Sequence, residues 1–270
     1  MKKLMFLAAC AASMVAVADV TSANIVGYNT VDLKPGYNML SINFKDVTDP
    51  DGIEIDKVFP GGGKPSVLTP AAAAAQADSI MVYSNDGDGN GDYVTYFLYK
   101  STKSSANDYW WVNSSGAKCG VKFKNGDSFW FYKRGSVTVN ATVSGEVDLT
   151  PVRSVNLLPG YNMIGNFFPT GLILNDDIYT PTFWQNSGAK SAAAAAQADS
   201  IMVPANDGEG NVDYVTYFLY KSTKSSANDY KWVNSLGVPV TTTVTEPGQG
   251  VWYYHRNTGM TLPIHMPTTK

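Results

Sequence analysis

Asp86-Gly-Asp88-Gly-Asn90-Gly91-Asp92 puts four oxygen-bearing side chains at alternate positions with a glycine in sixth place. A calcium loop begins this way, because alternate residues aim oxygens at one point while glycine permits the tight turn. Asp86, Asp88, Asn90 and Asp92 are therefore candidate Ca2+ ligands, although Phe97 stands where an EF-hand places its bidentate glutamate. A second run, Asp207-Gly-Glu209-Gly-Asn211-Val212-Asp213, offers Asp207, Glu209, Asn211 and Asp213 but has lost the glycine. Asp, Asn and Gly are also the ordinary residues of a solvated hairpin tip, and both readings stand at this point.

The tryptophans sort by comparing the two halves of the chain. Trp111 matches Trp232 and Trp130 matches Trp252, whereas Trp110 matches Lys231. A place that accepts lysine faces solvent, and strand neighbours point opposite ways, so Trp111 and Trp232 belong to the core. Trp110, with Tyr109, Asn107 and Asp108 beside it, is the candidate sugar-stacking surface, since aromatic faces suit partly apolar rings. Isolated exposed aromatics without a ligand are also common.

Catalytic constellations are missing from the sequence. It contains no Gly-x-Ser-x-Gly elbow, His-Glu-x-x-His, Cys-x-x-Cys or P-loop, and no catalytic residue is assigned. The twinned Asp78/Asp199 and Asp108/Asp229 are candidates by repetition alone, with turn hydrogen bonds as the structural alternative. His255 and His265 have no histidine counterpart, and Lys133 occupies the place of His255. Cys119, matched by Val240, reads as a buried inert thiol.

The elements that must position these residues are written twice. DYVTYFLYKSTKSSANDY occurs at Asp92–Tyr109 and Asp213–Tyr230, and AAAAAQADSIMV at Ala71–Val82 and Ala192–Val203. Pro-Gly-Tyr-Asn-Met occurs at 35–39 and 159–163, and Asn125-Gly126-Asp127-Ser128-Phe129-Trp130 answers Pro247-Gly248-Gln249-Gly250-Val251-Trp252. The offsets of 124, 121 and 122 residues reflect small loop insertions and deletions. Strands are expected at Tyr37–Phe44, Ser79–Ser84, Tyr93–Tyr99, Ser128–Lys133 and Val137–Val147. Tyr93–Tyr99, apolar or aromatic on both faces, is expected to be covered on both sides. Thr69 as N-cap, with Pro70 first in the helix, predicts a short helix at the alanine tract, and Ser191 would cap its twin. The fold class is all-β: two tandem homologous β-sandwich or partly closed barrel units, each with one short helix at the alanine tract.

Lys2 and Lys3, an apolar run from Leu4 to Val17, and Ala16-Val17-Ala18 form an export signal cut before Asp19. A competing lipobox reading of Leu7-Ala8-Ala9-Cys10 would instead acylate Cys10. The expected layout is a signal at 1–18, one β repeat at 19–148 and a second at 149–270. Loss of the two lysines takes the formal charge from −3 to −5, and no basic stripe exists, so no nucleic-acid partner is expected. No apolar stretch reaches the ~20 residues of a spanning helix, so the chain is not read as membrane-spanning. Without Cys10 no internal disulfide can form, and the core must supply stability.

At PGYNM, DYVTYFLY and NGDSFWFYKRG, and at Asn24-Ile-Val-Gly-Tyr28, the chain resembles uncharacterised secreted two-copy β-proteins and terminal modules. These belong to bacteria of the Planctomycetes–Verrucomicrobia–Lentisphaerae kind. The likeness implies export and a β-fold, and no activity; Asn125 and Ser128 depart from its Pro-Gly-x-Gly pattern. The expected function is that of an exported, non-enzymatic surface, envelope or matrix protein that is secreted, periplasmic or on the cell surface. Glycan, envelope or matrix components are its expected partners. A carbohydrate-binding module is the alternative, and a glycan or peptide hydrolase the third.

Overall fold

The computed structural model describes residues 25–46, 48–59 and 67–267; the export signal and Cys10 lie outside them. The chain is all-β. Its first half comprises β1 (Val26–Leu33), β2 (Gly36–Ser41), β3 (Ile53–Glu54), α1 (Ile55–Val58), β4 (Ser79–Asn85), β5 (Gly91–Leu98), β6 (Trp111–Val112), β7 (Lys122–Phe123), β8 (Ser128–Lys133) and β9 (Val139–Glu146). The second half comprises β10 (Val152–Leu157), β11 (Gly160–Gly165), α2 (Pro181–Asn186), β12 (Ser200–Asn206), β13 (Val212–Tyr220), β14 (Lys231–Val233), β15 (Gly250–His255) and β16 (Met260–His265). The large sheets run β2-β8-β4-β5-β6 and β11-β15-β12-β13-β14, with matching strand order. Antiparallel ribbons β1–β9 and β10–β16 accompany them, and β3 pairs with β7.

Period-two alternation decides what each face of a sheet does. In the first sheet Leu40, Phe129, Phe131, Ile80 and Leu98 bury themselves with Leu33 and Val143 of the ribbon, Phe59 and Trp111. The rings interlock, with Phe123 stacked on Phe129 at 4.3 Å and Trp111 edge-on to Phe131 at 6.1 Å. Such pairs add roughly 0.5–1.5 kcal/mol each beyond the area they bury. The opposite face carries Met39, Trp130 and Met81 at registered positions, and these meet the second half of the chain.

Three expectations needed correction. Tyr93–Tyr99 is not covered on both sides: β5 ends at Leu98, and Tyr93 and Val94 are 44% and 49% exposed. Only its C-terminal end is buried, Leu98 in the main core and Phe97 against Ala77 and Val112. The alanine tracts form single 3-10 turns, Ala74–Gln76 and Ala195–Gln197, without a side-chain cap. Thr69 instead gives its backbone N–H to buried Asp78, which holds the chain extended where the cap was expected. The ladder of β2 stops at Ser41, where Ile42 N–H turns to Asp127 O at 3.0 Å.

The contacts between the halves are reciprocal, as in an isologous dimer interface. Ser41 N–H donates to Gly248 O at 2.8 Å, and its counterpart Gly165 N–H donates to Gly126 O at 2.9 Å. The Asn85 carboxamide donates to Pro159 O and Tyr161 O, and that of Asn206 donates to Pro35 O and Tyr37 O, at 2.8–2.9 Å. Each hairpin tip thus clamps the opposite Pro-Gly turn. Gly36 and Gly160 have φ of 85° and 86°, and a Cβ on them would lie 2.6 and 3.0 Å from Gly210 and Gly89 Cα respectively. Glycine is required there by both conformation and space. At the junction, buried Asp148 accepts from Lys45 Nζ at 2.7 Å, from Arg153 and from Thr150 N–H.

Asn85→Ala removes two donors and leaves two carbonyls facing the hairpin unpaired. It should lower unfolding free energy by about 1–3 kcal/mol in a urea titration, and Asn206→Ala by a similar amount. Wild-type stability in both variants would show that the clamp contributes nothing.

Candidate functional site

The hairpin tips are built by their acidic residues. Asp86 Oδ1 accepts the N–H of Asp88 at 2.8 Å and of Asn90 at 3.1 Å, and Oδ2 accepts the Asn90 carboxamide at 3.0 Å. Asp207 does the same with Glu209 and Asn211. The Asn90 and Asn211 hydrogen bonds, with the backbone amides, hold both carboxyls below their usual range. Asp92 Oδ1 accepts Tyr93 N–H at 2.7 Å. Three of the about four acceptor sites of each carboxylate, Asp86 and Asp207, are thus used within its own loop. Among the described residues no group of three His, Cys, Asp or Glu side chains is placed to hold a metal ion.

The proposed sugar-stacking residues share one loop, but each already has a partner. Asp108 accepts Ser101 N–H at 2.8 Å, and Asn107 donates to Gly116 O at 3.0 Å. Lys100 Nζ sits 4.3 Å from the Tyr109 ring centroid, and Lys118 Nζ sits 3.7 Å from that of Trp110. Trp110 is thus half-buried beneath a lysine rather than free in solvent, a cation–π arrangement whose pieces are both replaced in the second half, by Lys231 and Pro239. Tyr109 and Tyr230 adopt φ of 63° and 60°, rare for a bulky residue. Trp111 and Trp232 are fully buried, as their pairing in sequence requires.

Asp78 and Asp199 anchor the most enclosed polar clusters. Asp78 accepts Arg134 N–H and Thr69 N–H and pairs with buried Lys133 Nζ at 3.2 Å. Asp199 accepts Arg256 N–H, Lys190 N–H and the Tyr253 hydroxyl, and meets His255 Nδ1 at 2.8 Å. His255 Nε2 lies 2.9 Å from Thr258 O, so acceptors face both ring nitrogens. That geometry suits imidazolium, which donates from both. Burial pulls His255 down, but the Asp199 hydrogen bond, the Thr258 carbonyl and the Asp199 charge outweigh it and leave its pKa raised. The pair Asp78/Lys133 is therefore matched by Asp199/His255, a lysine replaced by a histidine. His265 lies apart from this cluster, its backbone N–H donating to the Tyr179 hydroxyl.

Sequence reasoning missed Asp56, which has no repeated counterpart or motif to mark it. Burial, and next the charge of Glu54, push its carboxyl up to about 6, and its Oδ1 has no partner among the described residues. Burial also raises the nearby Cys119 thiol, keeping it protonated and unreactive. A carboxyl whose folded pKa exceeds its unfolded value weakens the fold as pH rises through that interval. Asp56→Asn should therefore stabilise the protein by about 1 kcal/mol at pH ~7.5, after allowance for solvent screening. Near pH ~4 the gain should vanish, and urea titrations at the two values measure the difference.

Compared with models of protein families, with curated proteins and with solved structures, the chain matches none. Among the described residues, no helix is long and apolar enough to cross a membrane.

Proposed function

We propose that the protein is an exported, non-catalytic component of a surface, envelope or extracellular matrix. One observation supports the reading: in both halves the repeated acidic groups are spent on the chain's own amides and cations. Asp86/Asp207 shape hairpin tips, Asp108/Asp229 brace loops, and Asp78/Asp199 neutralise buried cations. A general acid or nucleophile needs a carboxyl free to face a substrate, whereas a scaffold needs carboxyls that fix its turns.

Export is tested by expressing the full chain in a bacterium with an inner and outer membrane, then fractionating the cells and sequencing the N-terminus. The expected result is a chain beginning at Asp19 in periplasm, envelope or medium. Full-length chain confined to the cytoplasm would overturn the proposal.

A further inference from the structure

The two antiparallel ribbons, alike in register, differ on their outer edges. In the first, Ile25 O accepts Val147 N–H at 2.7 Å, so the odd-numbered residues of β9 bond to β1. The even-numbered ones turn their backbone groups away from it. Glu146 confirms the direction, since it exchanges both backbone bonds with Lys45 on the far side, at 2.9 and 3.0 Å. Asn140, Thr142 and Ser144 are exposed, and among the described residues nothing bonds their outward N–H and C=O groups.

In the second ribbon the same edge is closed. Thr142 opposite Thr30 answers Pro263 opposite Ser154, and Ser144 opposite Tyr28 answers His265 opposite Val152. Pro263 has no N–H to offer. The His265 N–H is given to the Tyr179 hydroxyl at 2.6 Å, and that hydroxyl lies 3.3 Å from His265 O. An edge proline and a covering side chain both keep a strand from pairing with another chain. The first half has neither device. No proline or lysine lies between Ser136 and Val147, and no tyrosine between Tyr37 and Tyr83.

We propose that β9 pairs with β9 of a second copy, antiparallel about a two-fold axis, and joins the two ribbons into one four-stranded sheet. The strand itself argues for its own copy as the partner. Antiparallel pairing places Asn140 of each copy opposite Thr142 of the other, so the outward N–H and C=O groups of both are satisfied. From Ser136 to Gly145 there is no charged residue, so nothing along the strand repels a copy of itself. Its ends carry opposite charges, Arg134 before and Glu146 after, and the antiparallel arrangement brings each towards its opposite in the other copy. Because the matching edge of β16 is closed, the ribbons support a closed pair rather than a filament. The proposal is independent of where the protein resides.

Sedimentation equilibrium of the mature chain, with hydrogen exchange read residue by residue, tests it. A strand-edge contact is small, so a dimer with a Kd of about 1–100 µM is expected. The Asn140 and Thr142 amides should exchange at least about tenfold more slowly above that concentration than below it. Thr142→Pro copies the second half's device. The Thr142 N–H makes no bond to β1, so the variant should fold while its dimer weakens at least about tenfold. Thr142→Lys, at the same exposed position, should weaken the dimer too and decides the matter if the proline variant does not fold. A wild type that stays monomeric up to about 500 µM would leave the edge to a foreign strand and overturn the proposal. So would a dimer that survives both substitutions, or one whose Asn140 and Thr142 amides stay unprotected.

Discussion

Replacing Trp111 by phenylalanine should destabilise the fold by about 3–4 kcal/mol, and the same change at Trp232 by about 1–2 kcal/mol less. Both rings are fully buried at equivalent places, so the lost volume is alike. Their indole N–H groups differ. Trp111 Nε1 donates to Phe59 O at 3.1 Å, at the end of α1, whereas Trp232 Nε1 has no partner among the described residues. Trp232 packs edge-on to Trp184 at 5.3 Å, and it is Trp184 whose N–H finds a carbonyl, that of Leu174 at 3.1 Å. Phenylalanine at 111 leaves Phe59 O without its donor; at 232 it removes a buried donor that is already unpaired. Urea titrations of the two variants give the comparison, and equal losses would contradict this account of the difference.

Lys133→Met should cost about 3–5 kcal/mol, because it leaves Asp78 buried without its cation. The side chains of Lys133 and Asp78 are only 4% and 0% exposed, so water cannot substitute. In the second half the cation is His255, which brings a pH dependence of its own. A histidine with a raised folded pKa contributes stability fully below its unfolded value, about 6.5, and loses it as pH rises through the folded value. Asp199, the Tyr253 hydroxyl and the Thr258 carbonyl face the imidazole, and Tyr253 is held well above its usual pKa, chiefly by burial, so it remains a donor. The melting temperature should therefore fall by a few degrees from pH ~6 to pH ~8.5. In His255→Lys, which copies the first half's solution, that fall should disappear. An unchanged pH profile in the variant would mean that His255 is not the titrating group.

Much of the strand pattern was legible because turn residues bound each strand. The Asn-Gly turn placed Ser128–Lys133 at the observed limits of β8, and Pro-Gly placed β2 within a residue of its start. Matching Trp111 with Trp232 located two core rings without any structure. What failed was whatever depends on distant neighbours. Tyr93 and Val94 looked like a covered strand, yet the core and the alanine tract pack only on its far end, at Leu98 and Phe97. Thr69 had the chemistry of a cap, but Asp78, nine residues on, takes its N–H. Trp110 was correctly separated from the core, while the lysine above it comes from a different segment. The candidate Ca2+ residues were correctly placed at a hairpin tip; Asp86 spends its oxygens on that loop's own amides, which composition alone does not reveal. Asp56 gains meaning only once the fold buries it beside Glu54.

Calorimetry decides whether the twin sheets act as one body, since the clamps and the shared methionine and tryptophan layer both require it. The mature chain should melt in a single transition whose calorimetric and van't Hoff enthalpies agree, and Asn85→Ala/Asn206→Ala together should split that transition in two. Two independent transitions in the wild type, unmoved by the double substitution, would contradict the account.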